Sequence, residues 1–232
     1  MNTNSNSYTI IYASVIVVIV AFVLAFTSSA LKDRQEKNVE LDKMKQILSA
    51  LNVDIKGQDA QTLYAKYVKQ DIIINSQGTK TDEKGGFNLT LKEELDKKLA
   101  ERKLAVYVCE IDGQTKYVLP LYGQGLWGPI WGYVGLNEDR NTVFGVYFSH
   151  QGETPGLGAE ISTKAFQNNF LGKQITRNGA LTSIAVVKPG QSVNDRDYVD
   201  GISGGTITSK AVDNMMSNSL SQYDQFITNT NN

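Results

Sequence analysis

Residues 200–210 read Asp200-Gly201-Ile202-Ser203-Gly204-Gly205-Thr206-Ile207-Thr208-Ser209-Lys210, a run of glycines and hydroxyls between an acid and a base. Downstream, Val212, Met215, Met216, Leu220, Tyr223 and Ile227 recur near helical spacing, so the run opens a helix with one buried face. Glycine lets the chain bend freely and lets another group approach the backbone. The free N–H groups of a helix start attract an anion, so a hydroxyl at Thr206 stands where a phosphate is welcome. The same residues also suit an ordinary Ser/Thr helix cap in a glycine loop. Residue types alone leave both readings open.

Other chemistry-bearing residues are fewer. Gln151-Gly152-Glu153-Thr154-Pro155-Gly156-Leu157-Gly158 makes either a tight loop whose amides and Thr154 hydroxyl face a ligand, or a plain turn. Gly123-Gln124-Gly125-Leu126-Trp127-Gly128 matches the G-x-G-x-x-G fingerprint, which works only where the glycine turn ends a strand and opens a helix. Pro129 and strand-like residues follow here, so we expect no dinucleotide site and no NADH on this chain. The single cysteine, Cys109, excludes an internal disulfide and an iron–sulfur cluster held by this chain alone; its apolar surroundings predict a buried thiol. The single histidine, His150, excludes a His-rich metal site and reads as a surface or hydrogen-bonded loop residue. A net charge of -1 argues against nucleic acid as a partner. We expect no metal ligand and no catalytic residue.

Residues 200–208 resemble the flavinylation motif, Asp-x-x-Ser/Thr-Gly-Ala-Thr followed by a further hydroxyl residue. Segments 31–38, 121–127 and 151–158 are similar to stretches of the same family, the covalent FMN-binding subunits of bacterial redox pumps. The resemblance implies that FMN is joined to Thr206 through a phosphoester. It makes Asp200 the acidic lead required by a periplasmic flavin transferase, with Ser203, Gly204 and Gly205 completing the motif. The family has Ala where this chain has Gly205, and Thr208 aligns with the trailing hydroxyl. By the same resemblance Glu153, Thr154, Gly156 and Leu157 stand beside the flavin. Trp127, Trp131 and Tyr122 either stack on the ring or pack in the core, and Lys188 and Lys210 either pair with the phosphate or are solvated.

The implied role is an electron relay, within a multi-subunit sodium-pumping NADH:quinone oxidoreductase that reduces quinone to quinol and exports sodium. Such a complex holds the complete active site; this chain alone does not. The Gly-Leu-Trp and 31–38 segments favour that complex over the related ferredoxin:NAD oxidoreductase. A membrane-anchored binding module without cofactor is the reading from another class.

These residues must be carried by elements. Residues 1–31 contain no charged side chain, and 8–26 are almost continuously apolar, enough for a bilayer span of about 20 residues. The stretch exceeds a signal peptide's h-region and lacks a basic n-region, so we expect a retained single-pass anchor. It holds no ionisable residue, so ion transport falls to partner subunits. Lys32, Arg34 and Lys37 follow the span and by the positive-inside rule point to the cytoplasm, whereas the resemblance implies a periplasmic domain at a bacterial inner membrane. We expect the latter.

The expected organisation is a tail at 1–7, an anchor at 8–30, a juxtamembrane helix at 31–56 and an FMN-binding domain at 57–232. Leu41, Met44, Ile47, Leu48 and Leu51 form the stripe of that helix, and Asp59 caps a second helix bearing Leu63 to Val68. Residues 75–87 read as a loop. Thr90-Leu91-Lys92-Glu93 reads as a capping box opening a helix to about residue 102. Strands are predicted at 104–111 and 116–121 around Asp112-Gly113, at 130–136, at 142–149 and at 183–187, with a short helix near Phe166 and Phe170. The fold class is α+β: a single N-terminal transmembrane helix, then an antiparallel-sheet domain with packed helices around a single core.

Overall fold

The computed structural model describes residues 5–229. The chain divides into two compact units, one through Lys43 and the other from Met44 onward. The first is the greater part of a single helix, α1 (Asn6–Ala50). Its apolar side chains from Ile10 to Phe26 are exposed, and it is long and apolar enough to cross a membrane.

α1 stops at Ala50, short of the expected 56. Asn52 takes the left-handed conformation at φ 55°. Its N–H reaches Ser49 O (3.1 Å) and the Val53 N–H reaches Leu48 O (3.0 Å), the paired bonds of a Schellman ending with asparagine where glycine is commoner. The Asn52 amide then donates to Phe144 O at 2.6 Å.

The second unit is built on a six-stranded sheet in the order β2-β1-β3-β4-β5-β6, antiparallel throughout. Its strands are β1 (Val68–Ile74), β2 (Lys80–Asp82), β3 (Leu104–Ile111), β4 (Gln114–Gln124), β5 (Pro129–Leu136) and β6 (Val143–His150). Asp112 and Gly113 at φ 50° and 76° close the predicted hairpin between β3 and β4. α2 (Ala60–Tyr67) begins as expected, with Asp59 accepting from Thr62 N at 2.8 Å.

β1 and β2 correct the reading of 68–87 as helix end and loop. The polar half of β1 shows no alternation, and its partner β3 begins 30 residues further on. The predicted helix at 90–102 is broken into α3 (Leu91–Leu95) and a single turn at Leu99–Glu101, and Thr90 makes no capping bond. Glu94 turns inward instead, 3% exposed, and binds the Lys97 ammonium (2.7 Å) and the Lys103 N–H (2.9 Å). Arg102 donates to Leu95 O and Lys97 O, satisfying the freed carbonyls.

Both faces of the sheet are covered, so there are two clusters where one core was expected. In β3, Leu104 and Val106 face one cluster while Ala105, Tyr107 and Cys109 face the other. The first cluster receives α5 (Thr206–Ser221) and α6 (Asp224–Thr228); the second receives Ile47, Ala50 and Leu51 from the end of α1. Cys109 is therefore the buried thiol predicted, and burial pushes its pKa up to about 12.

Between β6 and α5 lie α4 (Lys164–Gln167), the hairpin of β7 (Thr176–Arg177) and β8 (Ala180–Leu181), and the pair β9 (Ala185–Val187) and β10 (Tyr198–Asp200). β9 and β10 are parallel, a departure from an otherwise antiparallel fold. The chain leaves β10 with Gly201 N bonded to Val187 O at 2.7 Å and turns into α5.

Candidate functional site

α5 begins at Thr206 with Gly205 as its N-cap and no side-chain capping bond. The hydroxyl cap considered from the sequence is thus not how this helix starts. The turn passes through Gly204 at φ 76°, a conformation glycine enters freely. Ser209 closes it from the far side: its N–H donates to Gly205 O (2.8 Å) and its Oγ accepts from Ile202 N (2.8 Å). The N–H groups of Thr206, Ile207 and Thr208 come before that first helical bond, so the helix backbone itself gives them no partner.

Two residues of helix turn a side chain by about 200°. Thr206 accordingly lies exposed while Thr208 is 2% exposed. The Thr208 hydroxyl donates to Glu153 Oε2 at 2.5 Å. Glu153 is itself 4% exposed, and its Oε1 accepts from Trp127 N at 2.9 Å. Its own N–H donates to Nδ1 of His150 at 3.1 Å, which makes the histidine a hydrogen-bonded residue at the end of β6.

The glycines of the G-x-G-x-x-G run serve packing. Gly123 ends near Met215, whose Cβ a side chain there would meet at 2.8 Å. A Cβ on Gly125 would meet Glu153 Oε1 at 2.5 Å, and one on Gly158 would collide with Glu153 Oε2 and Thr208 Oγ1. The run passes from β4 into β5 and opens no helix, so the geometry that dinucleotide recognition requires is missing.

Two cavities meet at Thr206. One, of about 240 Å³, is walled by Leu126, Glu153, Thr154, Leu157, Thr206 and Ile207. The other, of about 340 Å³, is bordered by Thr206 with Val187, Lys188, Arg196, Lys210 and Asp213. Asp213 is buried between Lys210 (2.6 Å) and Arg196 (3.2 Å), so Lys210 is paired within the protein while Lys188 is exposed.

Of the residues singled out in the sequence, Glu153, Thr154, Leu157, Gly204, Gly205 and Thr206 converge on the smaller cavity. Gly156, Asp200 and Ser203 are outside the lining of both cavities; all three are exposed, and Asp200 ends β10. Leu126, Ile207 and Gly158 line the site without having been anticipated. The helical offset of Thr208 from Thr206 was the available signal that only one of the two faces outward. Among the aromatics, Tyr122 packs against the first cluster, Trp131 bonds Gln46 at 3.2 Å, and Trp127 is 67% exposed next to Leu126. At Gly205 the backbone is free of positive φ, and the Cβ found in the family would press on Ile202 at 3.1 and 3.2 Å.

Residues 125–221 match the family described as FMN-binding domain. The chain is 32% identical over 229 residues to NqrC of Haemophilus ducreyi, a component of its Na(+)-translocating NADH-quinone reductase, covering 92% of this chain and 89% of that one. The crystal structure of the same component from Parabacteroides distasonis superposes with a TM-score of 0.80 at 48% identity, over 85% of this chain and 97% of that one. Shewanella oneidensis NqrC superposes with a TM-score of 0.70 at 26% identity, over 83% and 98% of the two chains.

Proposed function

The chain belongs to the NqrC family of Na(+)-translocating NADH-quinone reductase components, and from that premise we propose that it carries FMN esterified to Thr206 and relays electrons within that complex. The observation that carries the acceptor assignment is the contrast between two hydroxyls on one helical turn. Thr206 is exposed where two cavities meet, whereas Thr208 is buried with its proton committed to Glu153.

The residues present fit a flavin phosphate. The N–H groups of the first turn of α5, left over by the helix backbone, and the positive end of its dipole would hold the phosphoryl oxygens. Lys188, at the border of the larger cavity, adds charge. Gly204 and Gly205 keep the approach clear of side chains. Thr206 Oγ1 contributes the ester oxygen, so occupancy no longer depends on affinity. Leu126, Leu157 and Ile207 offer apolar surface to the ring, with Glu153, Thr154 and Gly156 in the loop beside it. FMN supplies the redox chemistry when bound; the chain supplies tether, orientation and field.

In this reading Asp200 and Ser203, set back from the cavities, are presented to a flavin transferase during maturation. The remaining subunits of the complex deliver and remove electrons, reduce quinone and move sodium, and the domain faces the periplasm. The quinone-reductase relatives support this complex over the ferredoxin-linked alternative.

The test is the full-length chain expressed with a flavin transferase and run on a denaturing gel under ultraviolet light. A fluorescent band is expected for the unaltered chain and for Thr208→Ser, which keeps the buried hydroxyl. Thr206→Val should be dark. A fluorescent Thr206→Val chain would overturn the acceptor assignment, and a dark unaltered chain the covalent flavin itself.

A further inference from the structure

The smaller cavity is walled by three separate segments: the β4–β5 turn with Leu126, the loop after β6 with Thr154 and Leu157, and the first turn of α5 with Thr206 and Ile207. Leu126, Leu157 and Ile207 are 46%, 42% and 59% exposed. Packing among such open side chains is too sparse to set the spacing of the segments. One side chain joins all three. From the loop after β6, the Glu153 carboxylate accepts from the backbone of Trp127 (2.9 Å) and from the hydroxyl of Thr208 (2.5 Å), while its own N–H is held by His150 (3.1 Å).

Gly125 and Gly158 leave the room this carboxylate occupies. Both oxygens accept and neither donates, the pattern of an ionised carboxylate. A charge buried to this degree is tolerated only with its hydrogen-bond partners in place, so it resists separation from them.

We propose that Glu153 is the positioning residue of this cavity. Its carboxylate holds the Trp127 turn and the first turn of α5 at a fixed separation. It turns the Thr208 hydroxyl inward, leaving Thr206 as the outward one, and its negative charge lowers the reduction potential of the flavin attached there. An anion close to a ring that gains electrons disfavours the reduced state. The proposal rests on the FMN reading above.

The experiment uses the full-length chain in detergent, with and without a co-expressed flavin transferase. Hydrogen exchange of the Trp127 amide is followed in the flavin-free chain, and the midpoint potential is measured in the loaded chain. Glu153→Gln keeps the volume but removes the charge and one acceptor. Exchange at Trp127 should quicken several-fold and the potential should move positive, while Thr208→Ser changes neither. Unchanged exchange and potential in Glu153→Gln overturn the proposal. If that variant fails to fold, Thr208→Val deletes one of the two bonds and leaves Thr206 in place: faster exchange at Trp127 supports the clamp, and unchanged exchange overturns it. An unaltered chain without covalent flavin would refute the FMN reading alone, since the exchange measurement stands without it.

Discussion

Glu153, Thr208 and the glycines around them show how tightly single atoms are specified beside Thr206. A methyl group on Gly158 has no space, because Glu153 Oε2 and Thr208 Oγ1 already fill it. Gly158→Ala must separate that hydrogen bond or shift the loop, an overpacking cost of about 1–3 kcal/mol. Urea unfolding of the full-length chain in detergent should show a correspondingly lower midpoint. Gly152→Ala is the control, since its Cβ would meet only Trp127 O at 3.8 Å, and it should stay within about 0.5 kcal/mol. A Gly158→Ala midpoint equal to the control would mean that the carboxylate is not held as described. The sequence displayed Gly158 as one more loop glycine. What makes it necessary is a side chain on α5, visible only once the helix is docked.

At the scale of elements, α5 does more than present Thr206. The ladder between β3 and β4 runs only to Val118, while β4 continues beside β5 to Gln124. α5 closes part of that open edge. Ser219, fully buried, accepts from Tyr122 N (3.0 Å) and donates to Tyr122 O (3.2 Å), standing in for a missing strand. Ser219→Ala would leave both backbone groups of Tyr122 unpaired, at a cost of about 1–3 kcal/mol. The same urea titration reads it, and an unchanged midpoint would refute the stitching role. Elements with strong local signals were legible: the Asp112-Gly113 hairpin, β5, β6 and the stripe of α5. β1 was not, because Lys69-Gln70-Asp71 breaks its alternation and only pairing with β3 makes it a strand. The short α3 was overestimated for a related reason, since Glu94 and Arg102 end it through contacts that helix propensity does not contain.

At the scale of the whole molecule, the two units have separate physical settings. The apolar helix matches a bilayer span, and the domain from Met44 onward has its own buried clusters. The local basic residues after the span point the domain to the cytoplasm, whereas the proposed maturation by a flavin transferase points it to the periplasm. Protease added to spheroplasts should therefore digest the domain, and full protection until the membrane is broken would reverse the topology. The sequence by itself determined the anchor, the α+β class and the hydroxyl-rich turn with its motif, because each is written in periodicity or spacing over a few adjacent residues. Only the tertiary structure decided which hydroxyl of that turn is withdrawn and by what. Glu153 meets Thr208 across 55 residues of chain and Trp127 across 26. Contacts over such separations arise from how a helix docks on a sheet, and no local pattern encodes them.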